Sequence, residues 1–278
     1  MAILHQASVE DRTRLLELFP AADLRSVFQA KGTKAEICFA AAANNNAANN
    51  KRIGEFVDNQ FGCCKLHVYV FSYAKPIAIP QSIADGERVS QDGKHALYLS
   101  RVKYAVMLRN PPEETTLEFL WPVKIELLAK YLVVRFIVLE KNASSYFDRP
   151  TYVAGKSLTE KTVLAGIQTA ALVPADLNKG VKKLWEDSYL ESTRSNFKKQ
   201  FSTSSETMDE EKGIKEHYPE LYAIMQKAPL YTTIFEVKDD NSTVESFSAD
   251  PSHGIIGFTS YSAKGDTDAI IKKIISNN

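Results

Sequence analysis

The side chains able to do chemistry in this 278-residue chain are few and widely spaced. Its three cysteines include the adjacent pair Cys63 and Cys64, four and three residues before His67. A thiol nucleophile needs a base and an electropositive setting. On a strand beginning near residue 66, sequence proximity to His67 does not ensure contact, and a packed helix–strand junction is the plainer reading. The histidines are His5, His67, His95, His217 and His253, and no two stand at i, i+4, so a helical zinc site has no support. Three cysteines cannot build a disulfide framework or a four-cysteine zinc site. The phosphate-cradling GxxxxGK[ST] and GxGxxG patterns are missing, as are GxSxG, HExxH and CxxC. These residues assign no catalytic group, no metal ligand and no cofactor.

One acid–lysine set remains. Glu220 follows Pro219, and Glu236-Val237-Lys238 lies on an expected strand. Two acids holding Mg²⁺, with a lysine two residues beyond the second to position water, is the arrangement of metal-dependent nucleases. In those enzymes the first acid sits beside the second on a neighbouring strand, whereas Pro219-Glu220 opens a helix. A solvated strand end is the competing reading.

Charge is balanced, with 34 Lys and Arg against 34 Asp and Glu, which argues against a basic nucleic-acid coat and against an acidic mimic. Any charged partner must meet a local patch. Strand alternation over residues 96–109 puts Arg101 and Lys103 on one face, opposite Tyr98, Val102, Tyr104 and Val106. Arg135 interrupts an apolar strand at 131–139. Together with Lys31, Lys34, Lys51 and Arg52 of the N-terminal helices, these residues are the candidate contacts to a nucleic-acid backbone. An ordinary solvated face, or Arg135 paired with a carboxylate, is the alternative. Lys179, Lys182, Lys183, Arg194, Lys198 and Lys199 read as the polar side of core-packed helices.

The elements follow from period and punctuation. Ser8-Val9-Glu10-Asp11, Thr33-Lys34-Ala35-Glu36 and Ser157-Leu158-Thr159-Glu160 are helix starts of the capping-box kind. The asparagine-rich run 44–50 ends or frays a helix. After Gly62 the period shifts from helix to strand, with strands at 66–73, 96–108, 115–121 and 131–139. Residues 123–130 stay ambiguous between strand and helix. Residues 157–228 read as a helical insertion containing a mobile loop at 202–213. Strands at 230–237, 243–247 and 254–261 precede a closing helix at 268–275. Strands in blocks rather than βαβ alternation predict an α+β fold with a mainly antiparallel sheet and flanking helices. The expected division is a small all-helical module, 1–64, followed by an α+β domain, 65–278. The apolar stretch 119–139 carries Lys124, Glu126, Lys130 and Arg135, which argues against a membrane span. With no signal-peptide core at the N-terminus, a soluble intracellular protein is expected.

Residues 23–42, through Leu24, Gly32 and Lys34-Ala35-Glu36-Ile37, resemble a SAP-type helix–turn–helix. In element order alone the whole chain is similar to the CENP-N family of centromere-binding proteins. Both resemblances imply a non-enzymatic, DNA-binding or chromatin-type complex subunit. The sequence reading is therefore a macromolecule-binding protein contacting a nucleic-acid backbone. Its alternatives are a protein-interaction subunit without nucleic acid, and a metal-dependent nuclease using Glu220, Glu236 and Lys238.

Overall fold

The computed structural model describes residues 2–139, 146–168, 171–198, 203–207, 213–263 and 265–278. The helices are α1 (Ala2–Gln6), α2 (Val9–Glu17), α3 (Ala21–Phe28), α4 (Lys34–Ala43), α5 (Ala47–Gln60), α6 (Glu160–Ile167), α7 (Asn178–Glu186), α8 (Ile214–His217), α9 (Pro219–Lys227) and α10 (Asp266–Ser276). The strands are β1 (Leu66–Tyr73), β2 (Gly86–Gln91), β3 (His95–Leu108), β4 (Glu113–Leu128), β5 (Tyr131–Ile137), β6 (Thr151–Lys156), β7 (Leu172–Pro174), β8 (Leu190–Lys198), β9 (Thr203–Thr207), β10 (Leu230–Val237), β11 (Ser246–Asp250) and β12 (Ile255–Phe258). The fold is α+β, with helices first and antiparallel strand pairing after them.

By internal contacts the chain forms two compact units. The first takes residues 1–61, 76–127 and 136–171. The helices of the first sixty residues are thus grouped with β2, β3, β4 and β6, whereas the sequence division set 1–64 apart from 65–278. Ser8 and Thr33 cap α2 and α4 in reciprocal capping boxes with Asp11 and Glu36. Between α4 and α5 the asparagines make a corner. Asn49 donates to the Ala41 and Asn44 carbonyls at 2.8 and 2.7 Å, and Asn46 caps α5. Side-chain amides thereby satisfy backbone groups that both helix ends leave open. The β3–β4 ladder is the longest element of the unit, in register from His95 opposite Glu126 to Leu108 opposite Glu113. β4 runs as one strand to Leu128, so the ambiguous segment 123–130 is strand over 123–128 and a turn at 129–130.

The second unit takes residues 62–75, 128–135 and 172–278. Its strands run in the order β1, β12, β11, β10, β8, β9, with β7 also on β1. An aromatic series crosses β10, β11 and β12: Trp185 lies edge-on to Phe235 at 5.5 Å, Phe235 meets Phe247 at 5.7 Å, and Phe247 meets Phe258 at 5.7 Å. Such cross-strand pairs hold register as well as burying area. Among the described residues the segment read as a helical insertion contains three strands, β7, β8 and β9. In β8 the inward positions include Ser192 and Ser195, both fully buried. Ser195 Oγ bonds Thr233 Oγ1 at 2.7 Å, and Ser192 Oγ donates to the Ile234 carbonyl at 2.7 Å. Polar inward residues erase the apolar alternation by which a strand is recognised. Arg194 and Lys198 therefore stand on a strand, while Lys199 lies outside the described residues. In the expected loop, 203–207 is β9, and 202 and 208–212 lie outside the described residues.

In the second unit α7 and α10 approach at Gly180, where a Cβ would run into the Ile274 carbonyl oxygen. Gly180→Ala should therefore destabilise by about 1–3 kcal/mol in urea unfolding. Gly166→Ala in α6, where a Cβ meets nothing within 4 Å, should be neutral or stabilising by up to about 1 kcal/mol.

Candidate functional site

The candidate cations differ sharply in what they touch. α3 and α4 form the two helices of the segment resembling a helix–turn–helix, joined through Gln29 in the left-handed region and Gly32 at φ +123°. Lys34, at the first position of α4, turns inward and donates to the Glu17 carbonyl at 2.6 Å. Arg52 on α5 donates to the Val27 carbonyl and lies over the Phe28 ring at 5.1 Å. Lys51 is 70% exposed, with Glu55 one turn on at 3.7 Å. Lys31 is exposed in the α3–α4 loop. Of these four, Lys31, Lys51 and Arg52 are exposed, Arg52 with its guanidinium on a carbonyl and a ring of α3, while Lys34 is turned inward.

Arg101 and Lys103 do share a face of β3, and it is the face that meets the helices of the same unit. Arg101 lies 3.8 Å from Asp11 of α2 and 3.7 Å from Glu118 of β4. Lys103 pairs with Glu118 at 3.0 Å. Farther along that face Lys124 bonds Asp58 of α5 at 2.7 Å. Arg135 belongs to the second unit, where its side chain is 2% exposed and paired with Asp268 of α10. The three sheet cations are thus engaged by carboxylates of the chain itself.

The acid–lysine set is also rearranged. Lys238 bonds Glu236 at 2.8 Å. Glu220 lines a separate hollow with His217, Tyr218, Pro219 and Leu221. The residue directly opposite Glu236 across the β8–β10 pair is Glu191. Both line a cleft of about 470 Å³ with Ser188, Thr193, Lys215 and Glu216. Glu191 Oε1 accepts from Trp185 Nε1 at 3.0 Å and from the Ser192 and Lys215 amides at 2.7 and 3.2 Å. Lys215 Nζ in turn donates to the Trp185 and Glu186 carbonyls and to Ser188 Oγ. The walls of the cleft are bonded to one another. Among the described residues no group of three or more His, Cys, Asp or Glu is placed to hold a metal ion. Cys38, Cys63 and Cys64 are all buried. For Cys38, burial above all and the Glu17 charge push the thiol up to about 12.

Two features escaped the sequence reading. The first is a polar node at Asp58, where Ser90 Oγ, Lys124 Nζ and His95 Nε2 converge, the last at 3.5 Å. His95 Nδ1 lies 2.9 Å from Asp92. Burial would raise the Asp58 carboxyl, but the Lys124 and Ser90 hydrogen bonds with the Lys124 and His95 charges hold it below the usual carboxylate range. Its residues come from four places in the sequence with no common motif. The second is the outer side of α4. Ile37, Cys38 and Ala42 are buried, yet Ala35, Phe39, Ala40 and Ala43 on the opposite side are exposed, Phe39 by 59%. The signal was present in Lys34–Ala43, which is apolar at nearly every position after Glu36.

No family model, no curated protein and no solved structure matches this chain. Among the described residues no helix is long and apolar enough to cross a membrane.

The pairing of Arg135 makes it a stability residue. Asp268→Ala, which leaves the buried guanidinium without that carboxylate, should cost about 1–3 kcal/mol in chemical unfolding. Lys103→Ala removes only a half-exposed pair and should stay within about 1 kcal/mol of the parent.

Proposed function

We propose that this chain is a non-enzymatic binding protein, a subunit that meets a protein partner through the outer side of α4. The observation that carries the reading is the exposed apolar strip Ala35, Phe39, Ala40 and Ala43 on a helix whose other side is buried. A helix apolar all round normally has cover on every side. Burying the exposed part of Phe39 on a partner contributes about 1–2 kcal/mol, which suits an anchor of an interface. Balanced charge and internally paired sheet cations also favour a contact made by shape and apolar area.

A second reading, contact with a nucleic-acid backbone, keeps Lys31, Lys51 and Arg52 as its exposed charge-bearing residues. The resemblance of residues 23–42 to a SAP-type helix–turn–helix supports it. In the nuclease alternative Glu220 lines a different hollow from Glu236 and Lys238, and no observation favours that alternative over the other two.

A photo-crosslinking residue placed at position 39 in the full chain separates the first two readings. The expected outcome is a discrete protein adduct that survives raised salt and disappears when Ala35 and Ala40 are changed to Asp. Adducts to nucleic acid alone would overturn the protein reading. So would steeply salt-dependent nucleic-acid binding with a log–log slope that shrinks by roughly one per lost contact in Lys31→Glu and Lys51→Glu.

A further inference from the structure

Three carboxylates tie the N-terminal helices of the first unit to its strands. Glu87 of β2 accepts from the Ala2 and Ile3 amides of α1 at 2.7 and 2.6 Å, one on each oxygen. Asp11 of α2 faces Arg101 of β3 at 3.8 Å, with Arg14 of its own helix at 3.7 Å and the Ser8 amide at 3.1 Å. Asp58 of α5 takes Ser90 of β2, His95 at the start of β3 and Lys124 of β4, and its backbone carbonyl takes Lys124 Nζ a second time at 3.3 Å. Asp92 of the β2–β3 turn bears on the same node through His95. We propose that Asp58 and Glu87 form an acid-sensitive clasp, which holds α1 and α5 against β2, β3 and β4 when ionised and loosens both helices on the strands when protonated.

The strands themselves do not depend on the clasp. The β3–β4 ladder is built from backbone bonds that no side-chain protonation removes. The ties at Asp58 and Glu87 each run through a carboxylate that accepts two or more bonds, whereas α2 is also held by Arg14, which donates to the Glu118 carbonyl at 3.1 Å, and Arg101 keeps Glu118 as a second partner. Neutralising Asp58 or Glu87 weakens the bonds from Ser90, Lys124 and the α1 amides. The direction in pH follows. Asp58 and Glu87 both titrate below the usual carboxylate range in the folded chain. For both, burial opposes this and is outweighed, for Glu87 by hydrogen bonds that include the Ile3 and Ala2 amides. A depressed carboxylate contributes stability that is fully present above its unfolded pKa and is lost as pH falls through the folded one. The release therefore belongs below about pH 4.

Hydrogen exchange of the full chain, read by peptide and corrected for intrinsic rate, tests this. Lowering the pH from about 7 to about 3 should reduce protection in residues 2–6 and 47–60 by roughly tenfold or more while residues 95–108 and 113–127 keep theirs. The double variant Asp58→Asn, Glu87→Gln should show the same helix-only loss at neutral pH. Simultaneous loss in helices and strands on acidification would overturn the clasp, as would helices that stay protected in both acid and variant. If the variant does not fold, the acid series on the parent chain decides alone.

Discussion

Everything in the first unit is arranged around the covering of both faces of the β3–β4 ladder. On β3 not only Tyr98, Val102 and Val106 are buried but also Leu97 and Leu99 of the opposite face. A strand pair with two apolar faces cannot leave either to water at about 25 cal/mol per Å² of exposed area. The N-terminal helices answer this need on the face of His95, Leu97, Leu99 and Arg101. Leu15, Leu16, Phe19 and Phe56 are fully or almost fully buried, and Phe19 and Phe56 meet edge-on at 5.0 Å. Once α2 and α5 lie there, polar groups at the rim of that face must find partners among the helices. Asp11 and Asp58 stand where Arg101 and Lys124 need them.

The second unit solves a similar problem with different materials. Its aromatic series from Trp185 to Phe258 runs across three neighbouring strands. Buried hydroxyls stitch β8 to β10 beside it. On the helical side α10 buries Ile270, Ile271 and Ile274, and comes close enough to α7 that position 180 has no room for a side chain. Fixing α10 this way also places Asp268 over Arg135, so the buried guanidinium is neutralised by an element held through apolar packing. Breaking such a pair costs more than forming it contributes, because a desolvated charge is left behind.

How far the sequence was legible depends on whether local chemistry and tertiary environment agreed. Ser8 with Asp11 and Thr33 with Glu36 are capping boxes whose two halves lie three residues apart, so no distant partner was needed to recognise them. Ser157 looks like a third, but it continues the pairing of β6 with β3: its amide donates to the Lys103 carbonyl and its hydroxyl accepts the Lys103 amide. Thr159 caps α6 instead. β8 was hidden by Ser192 and Ser195, whose partners Ile234 and Thr233 lie some forty residues later. The Asp58 node could not be read at all, because a carboxylate on an apparently amphipathic helix gives no hint that Ser90, His95 and Lys124 will converge on it.

The cationic face shows why alternation alone is a weak guide to function. Period two correctly sets Arg101 and Lys103 on one side of β3, but it says nothing about what lies over that side. A solvated face and a face under a helix have the same alternation when the helix brings its own acids. The discriminating feature is the company the cations keep along the strand. Arg101 shares its face with Leu97 and Leu99, both fully buried, and Lys124 on β4 stands opposite Leu97. Leucines beside an arginine on a strand signal that the face is covered. Long basic side chains at the edge of a covered face run along the apolar surface and end on an acid of the covering element. By the same reasoning the outer side of α4, with Phe39 and alanines, is an apolar strip that the described residues leave exposed. The contrast is physical: the cations of β3 are matched by acids of the same unit, whereas the α4 strip faces solvent with its apolar area.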